Sequence, residues 1–124
     1  MGDRSNIIIE DGDKDKRVYL YGHWMGLDYI EILAKALSRA KDRWDDAAYI
    51  ARVIFCDMVR NDLDGTTGYG IATSKPDNEY PYLVLDCRKQ TVTLETEDGD
   101  VLLSKSIEAF IERPSLFSNR VRER

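Results

Sequence analysis

The chain has one histidine, two cysteines and three prolines among 124 residues, and each shortage excludes something. Cys56 and Cys87 form no Cys-x-x-Cys pair and no Cys/His cluster, which excludes a structural zinc site. Both stand in apolar surroundings, Val-Ile-Phe-Cys and Val-Leu-Asp-Cys, where cytosolic free thiols serve as small core residues. A Cys56–Cys87 disulfide is not expected. With His23 alone, every imidazole-dependent reaction rests on one position, and no Gly-x-Ser-x-Gly elbow accompanies it. No metal or cofactor is expected.

Long apolar runs are missing too. The longest, Ile50 to Phe55, is broken by Arg52 and is far shorter than the ~20 residues that span a bilayer. The stretch Met1-Gly2-Asp3-Arg4-Ser5-Asn6 lacks the apolar region of a secretory signal, and Asn6 spoils the myristoylation pattern that Gly2 would begin. A cytoplasmic protein without a membrane partner is the expectation. Basic residues are also in deficit: 18 Lys and Arg against 23 Asp and Glu give a net charge of −5. That balance argues against a broad nucleic-acid-binding face. Arg113, Arg120, Arg122 and Arg124 are the exception and read as a solvated tail.

What is present is an ordinary globular balance of 43% hydrophobic and 33% charged residues, enough for one core. The expected domain is 1–124, with an ordered core over about 7–112 and an arginine-rich tail over 113–124. Ile7-Ile8-Ile9, the turn Asp11-Gly12-Asp13 and Arg17 to Tyr21 predict an N-terminal hairpin. Leu27, Ile30, Leu33, Ala34 and Leu37 recur at helical steps opposite Asp28, Glu31, Lys35 and Ser38. A second helix, capped by Asp45 or Asp46, runs to about Arg60. It is apolar nearly all round, which predicts a central position.

Four strands follow: Tyr69 to Thr73, Tyr82 to Asp86, Thr91 to Glu95 and Val101 to Leu103. Their short links predict an antiparallel meander, with Ser74 to Pro81 as one hairpin loop. A last helix over Lys105 to Glu112 stops at Pro114. The fold class predicted is α+β: one mostly antiparallel sheet of five to six strands, with two long helices on one face and a short C-terminal helix.

The residues that invite chemistry begin with His23 and Trp24, in a corner between Gly22 and Gly26. A histidine there would act as acid, base or hydrogen-bond donor, or would tie the loop to the core. Trp24 and Trp44 stand at helix ends, where aromatics anchor cores or stack on planar ligands. Asp45, Tyr49, Arg52, Cys56 and Arg60 share one helical stripe. Arginine on so apolar a helix predicts a carboxylate partner or a ligand anion, with Asp45, Asp46, Asp57 and Asp86 as internal candidates. Gly65-Thr-Thr-Gly68-Tyr-Gly70 is not a P-loop, since no Gly-Lys-Ser/Thr follows it. Asp62-Leu-Asp64-Gly65 fails as a calcium loop, because Arg60 and Ile71 would fill ligand positions.

Tyr21-Gly-His23-Trp24-Met-Gly26, Arg43-Trp44-Asp45-Asp46, Tyr49, Arg52 and Gly68-Tyr69-Gly70-Ile71 together resemble a family of small uncharacterised proteins of phages, prophages and some prokaryotic chromosomes. The likeness covers roughly residues 17 to 95. It implies a phage context, hence a host cytoplasm and a role in host modulation or defence evasion, and supplies no reaction mechanism.

Three function classes stay open. One is a binding protein that holds an anionic, nucleotide-like small molecule or a host-protein segment near His23, Trp24, Arg43, Trp44, Tyr49 and Arg52. Another is a small hydrolase or transferase with His23 as general base, Asp45 or Asp46 orienting it and Arg52 stabilising charge. The third is a protein-binding inhibitor that works through its acidic surface or an exposed sheet edge, a geometry that also admits a homodimer.

Overall fold

A computed structural model describes residues 2–123. Met1 and Arg124, the outer ends of the N-terminal stretch and of the arginine-rich tail, lie outside the described residues. The fold is α+β, with one six-stranded sheet in the order β3-β2-β1-β4-β5-β6. Its strands are β1 (Ser5–Glu10), β2 (Val18–Gly22), β3 (Tyr69–Ala72), β4 (Tyr82–Asp86), β5 (Thr91–Glu95) and β6 (Val101–Ser106). Four helices complete it: α1 (Asp28–Arg39), α2 (Ala47–Val59), α3 (Ile107–Glu112) and α4 (Ser115–Arg122). None is long and apolar enough to cross a membrane.

Strand alternation sorts the core. Ile7 and Ile9 of β1, Leu20 of β2, Leu83 and Leu85 of β4, and Val92 and Leu94 of β5 point to the helical face. There they meet Tyr29, Ile30, Leu33 and Leu37 of α1 and Ile50, Ile54 and Met58 of α2. On the opposite face Ile8, Tyr19, Tyr82 and Val84 form a smaller buried cluster. Because β1 and β4 are buried on both faces, their sequences read as unbroken apolar runs.

The N-terminal hairpin forms as expected, β1 pairing antiparallel with β2. The four later strands do not form one meander. β3 pairs with β2, whereas β4 pairs with β1 in parallel, and only β4, β5 and β6 form a meander. Residues 73–81 are therefore a crossover over the face opposite the helices, not a hairpin loop. Two contacts fix it there: Tyr82, close in sequence, donates its hydroxyl proton to the Pro76 carbonyl at 2.8 Å, and Asn6, remote in sequence, donates Nδ2–H to Asn78 Oδ1 at 3.1 Å.

Two other expectations are corrected. The segment 113–124 is not simply a tail, because α4 buries Phe117 and Val121 in the main core. Phe117 stands edge-on to Phe110 of α3 with ring centroids 4.9 Å apart. Burying two such side chains is worth about 1.5–3 kcal/mol each, enough to hold a two-turn helix. Helix α2 is peripheral, not central. Only Ile50, Ile54 and Met58 are fully buried, and the alanines and Val53, Phe55 and Val59 cover the helix without enclosing it.

The face opposite the helices is closed by charge as well as by the crossover. Arg17 donates Nε to Glu10 at 2.6 Å and a bidentate pair of N–H groups to Glu95 at 3.2 and 3.0 Å. Burial alone would lower the Arg17 pKa; the hydrogen bonds and charges of Glu95 and Glu10 outweigh it, and the pKa is raised above its usual value.

Candidate functional site

The corner between β2 and α1 is stitched by main-chain bonds. Asp3 N–H donates to the His23 carbonyl at 2.7 Å, Gly26 N–H to the Asp3 carbonyl at 2.8 Å, and His23 N–H to the Gly68 carbonyl at 2.7 Å. Gly26 has φ +51°, where a side chain is strained, and a Cβ there would also push the Asp3 carboxylate aside. Segments from three parts of the chain thus hold His23 in place.

The imidazole is half-buried and hydrogen-bonded through one nitrogen. Nδ1 lies 2.7 Å from the Tyr21 hydroxyl, and a Cβ on Gly2 would stand 2.5 Å from Nε2, so Gly2 packs directly on that side. Trp24 stacks edge-on against the ring at 4.6 Å. The indole itself is 62% exposed and lies over Gly68. The imidazole thus has one nitrogen on a tyrosine, the other beside Gly2, and its ring against Trp24.

The remaining expected site residues lie elsewhere. Arg43 places its guanidinium 4.9 Å over the Tyr49 ring, and Trp44 donates Nε1–H to the Leu37 carbonyl at 2.9 Å. Asp46 caps α2 by accepting from Tyr49 N–H at 3.5 Å, and Asp45 is exposed. Arg52 is exposed, with Nη1 4.0 Å from Cys56 Sγ and no ion pair among the described residues. Its exposure removes the need for a carboxylate partner. The structure thus brings His23 and Trp24 together, and separately Arg43, Tyr49 and the Asp46 cap. It does not join the two groups, because the corner precedes α1 and the Arg-Trp-Asp-Asp turn follows it. A helix of 12 residues sets those ends about 18 Å apart. Neither Asp45 nor Asp46 is a partner of His23.

Beside the corner lies a feature that composition did not reveal: the free edge of β3. The bond from His23 N–H to Gly68 fixes the alternation of the ladder, so Gly68, Gly70 and Ala72 turn their main-chain groups to β2. The N–H and C=O of Tyr69 and Ile71 therefore point outward. The strand carries no charge and no proline, the usual guards of an edge. Ile71 is 63% exposed on the helical side; Trp24, which lies over Gly68 just before the strand, is exposed as well, and so is Leu63. On the other side Tyr21, Gly70, Ile71, Ala72, Pro76 and Asp77 line a cleft of about 250 Å³. Nothing stands within 4 Å of where a Gly70 side chain would begin. The sequence signal for this cleft was Gly68-Tyr-Gly70 leading into a strand, and the missing information was which strand lay at the edge.

Among the described residues, no group of three or more His, Cys, Asp or Glu side chains is arranged to hold a metal ion. Comparisons with protein-family models, with curated proteins and with solved structures find no match to this chain.

Proposed function

We propose that the protein is a non-enzymatic binding module that takes an extended segment of a partner protein as a seventh strand along β3. The observation that carries this is the uncharged, proline-free edge itself, with the outward main chain of Tyr69 and Ile71, an exposed Trp24 and a cleft beside Gly70. Added strands gain affinity from main-chain hydrogen bonds and specificity from pockets for alternate side chains. Here one side chain of the segment enters the cleft while its neighbours meet Ile71, Leu63 and Trp24.

Charge selects the segment. Asp62 and Asp64 precede the edge and Asp77 rims the cleft, its carboxylate only 3.9 Å-paired with Arg4 and otherwise open. A segment alternating apolar and basic residues complements this surface. A second copy of the chain is less suited, since it would set two acid-flanked edges and two net charges of −5 together. The resemblance to phage and prophage proteins supports a host protein as the source of that segment.

The test uses the full chain, isotope-labelled, and two capped hexapeptides, one alternating valine with arginine and one alternating valine with glutamate. The arginine peptide is expected to protect the Tyr69 and Ile71 amides from exchange, and the glutamate peptide to leave them open. Ile71→Pro removes an outward N–H that the fold does not use, so it abolishes binding and leaves the β2–β3 ladder intact. If the arginine peptide binds Ile71→Pro as well as the parent, the reading is wrong.

A further inference from the structure

The outer side of the helical layer carries a second, unrelated surface. Ile32, Lys35 and Arg39 of α1 with Asp57, Arg60 and Asn61 at the end of α2 line a groove of about 400 Å³. Asp57 organises it. Its side chain is only 11% exposed, and one oxygen, Oδ1, accepts from Arg39 Nη2 at 2.7 Å and from Arg60 Nη2. Arg39 is pinned further by a 3.3 Å bond to the Val53 carbonyl.

The charge does not balance. Among the six lining residues, Lys35, Arg39 and Arg60 against Asp57 leave two positive charges in a chain whose net charge is −5. The next acid, Glu31, lines the adjoining surface with Lys35 and Arg39 and forms no ion pair with either. Lys35 forms no ion pair among the described residues. Like charges held this close repel unless a counter-ion joins them. Each guanidinium has five N–H donors in a rigid fork and spends only part of them on Asp57. What remains matches the oxygens of a phosphate, and two uncompensated charges match its dianion.

We propose that this groove binds a phosphate monoester. Arg39, Arg60 and Lys35 hold the phosphoryl oxygens, Asn61 supplies a further polar contact, and Ile32 provides an apolar wall for the body of the ligand. Asp57 makes no contact with the anion; it holds the two guanidinium groups in register. None of the six residues belongs to the β3 surface, so the two sites stand or fall separately.

The test is a titration of the isotope-labelled full chain with inorganic phosphate, with adenosine monophosphate and with adenosine, at constant ionic strength balanced by chloride. Saturable shifts are expected at the amides of Lys35, Arg39, Asp57, Arg60 and Asn61 with both phosphate compounds and none with adenosine. Tighter binding of the nucleotide than of inorganic phosphate supports an ester, and equal binding of the two would overturn the monoester, because the body of the ligand would then add nothing. Lys35→Gln and Arg39→Gln should each weaken binding about tenfold, the worth of one charge-assisted contact. Lys35→Gln leaves the Asp57 network untouched, so its effect cannot come from misfolding. Arg52→Gln, on α2 but outside the groove, should bind as the parent does. Shifts that grow linearly without saturating, or equal affinity of Lys35→Gln and Arg52→Gln, would overturn the proposal.

Discussion

Replacing Arg17 by methionine removes the charge that closes the face opposite the helices and keeps most of the side chain's length. The Arg17, Glu10 and Glu95 side chains are 7%, 6% and 9% exposed, so both carboxylates would be left buried without a counter-ion. Removing one partner of such a buried group costs about 3–5 kcal/mol. The total stability of a domain this size is about 5–15 kcal/mol, so the variant stays folded in most of that range but close to its limit. With a urea slope of roughly 2 kcal/mol/M, the unfolding midpoint should fall by about 2 M.

A second variant separates lost attraction from unpaired charge. Replacing all three residues by Leu or Met of similar length should recover most of the loss, because the cost comes from unpaired charge and not from a missing attraction. Urea unfolding followed by circular dichroism measures each case. A loss below about 1 kcal/mol at neutral pH, the range of exposed pairs, would show that water reaches this cluster.

Two further predictions follow from burial. The Cys87 thiol is pushed up to about 12, chiefly by burial and then by Asp11 and Asp86, whereas Cys56 is exposed on α2. A disulfide-exchange reagent near neutral pH should count one thiol in the native protein and two after unfolding, and two fast thiols in the native state would contradict the structure. Burial, followed by the charges of Glu97, Tyr19 and Asp77, also raises Tyr82 from its ordinary 10.0 to about 12. A raised pKa contributes stability that is intact below the unfolded value and lost as pH climbs through the folded one. Alkaline titration should thus destabilise the parent between pH 10 and 12 more than Tyr82→Phe. That variant should also lose about 1 kcal/mol at neutral pH with the bond to Pro76.

How far these features were legible in sequence depends on the range of the contacts that make them. The boundaries of β4 and β5 match an apolar run and a clean alternation, and α1 matches its three- and four-residue repeat, because neighbouring residues encode those patterns. The crossover over 73–81 was invisible, since Asn6 and Tyr82 fix it and only Tyr82 is nearby. In α4 the arginines masked Phe117 and Val121, whose four-residue spacing places both on one face. For α2, counting alanine as fully apolar inflated the apparent need for burial. The candidate pocket failed for a geometric reason: His-Trp and Arg-Trp-Asp-Asp are close in sequence but stand at opposite ends of α1.

That separation also decides how the net charge of −5 can be used. The β3 edge is flanked by Asp62, Asp64 and Asp77, while Lys35, Arg39 and Arg60 converge in the groove between α1 and α2. An anionic ligand drawn to the groove would be repelled at the edge, and a basic segment drawn to the edge would be repelled at the groove. A single extended ligand of one charge sign is therefore disfavoured from covering both. Salt discriminates the two surfaces further. Phosphate binding rests on charge, and rising ionic strength screens it directly. The added strand keeps its main-chain hydrogen bonds and its contact with Trp24 and Ile71, so salt should slow its association more than it shortens its residence. On the two proposals, a basic protein segment and a small phosphate ester would bind at once, each on a surface whose charge repels the other.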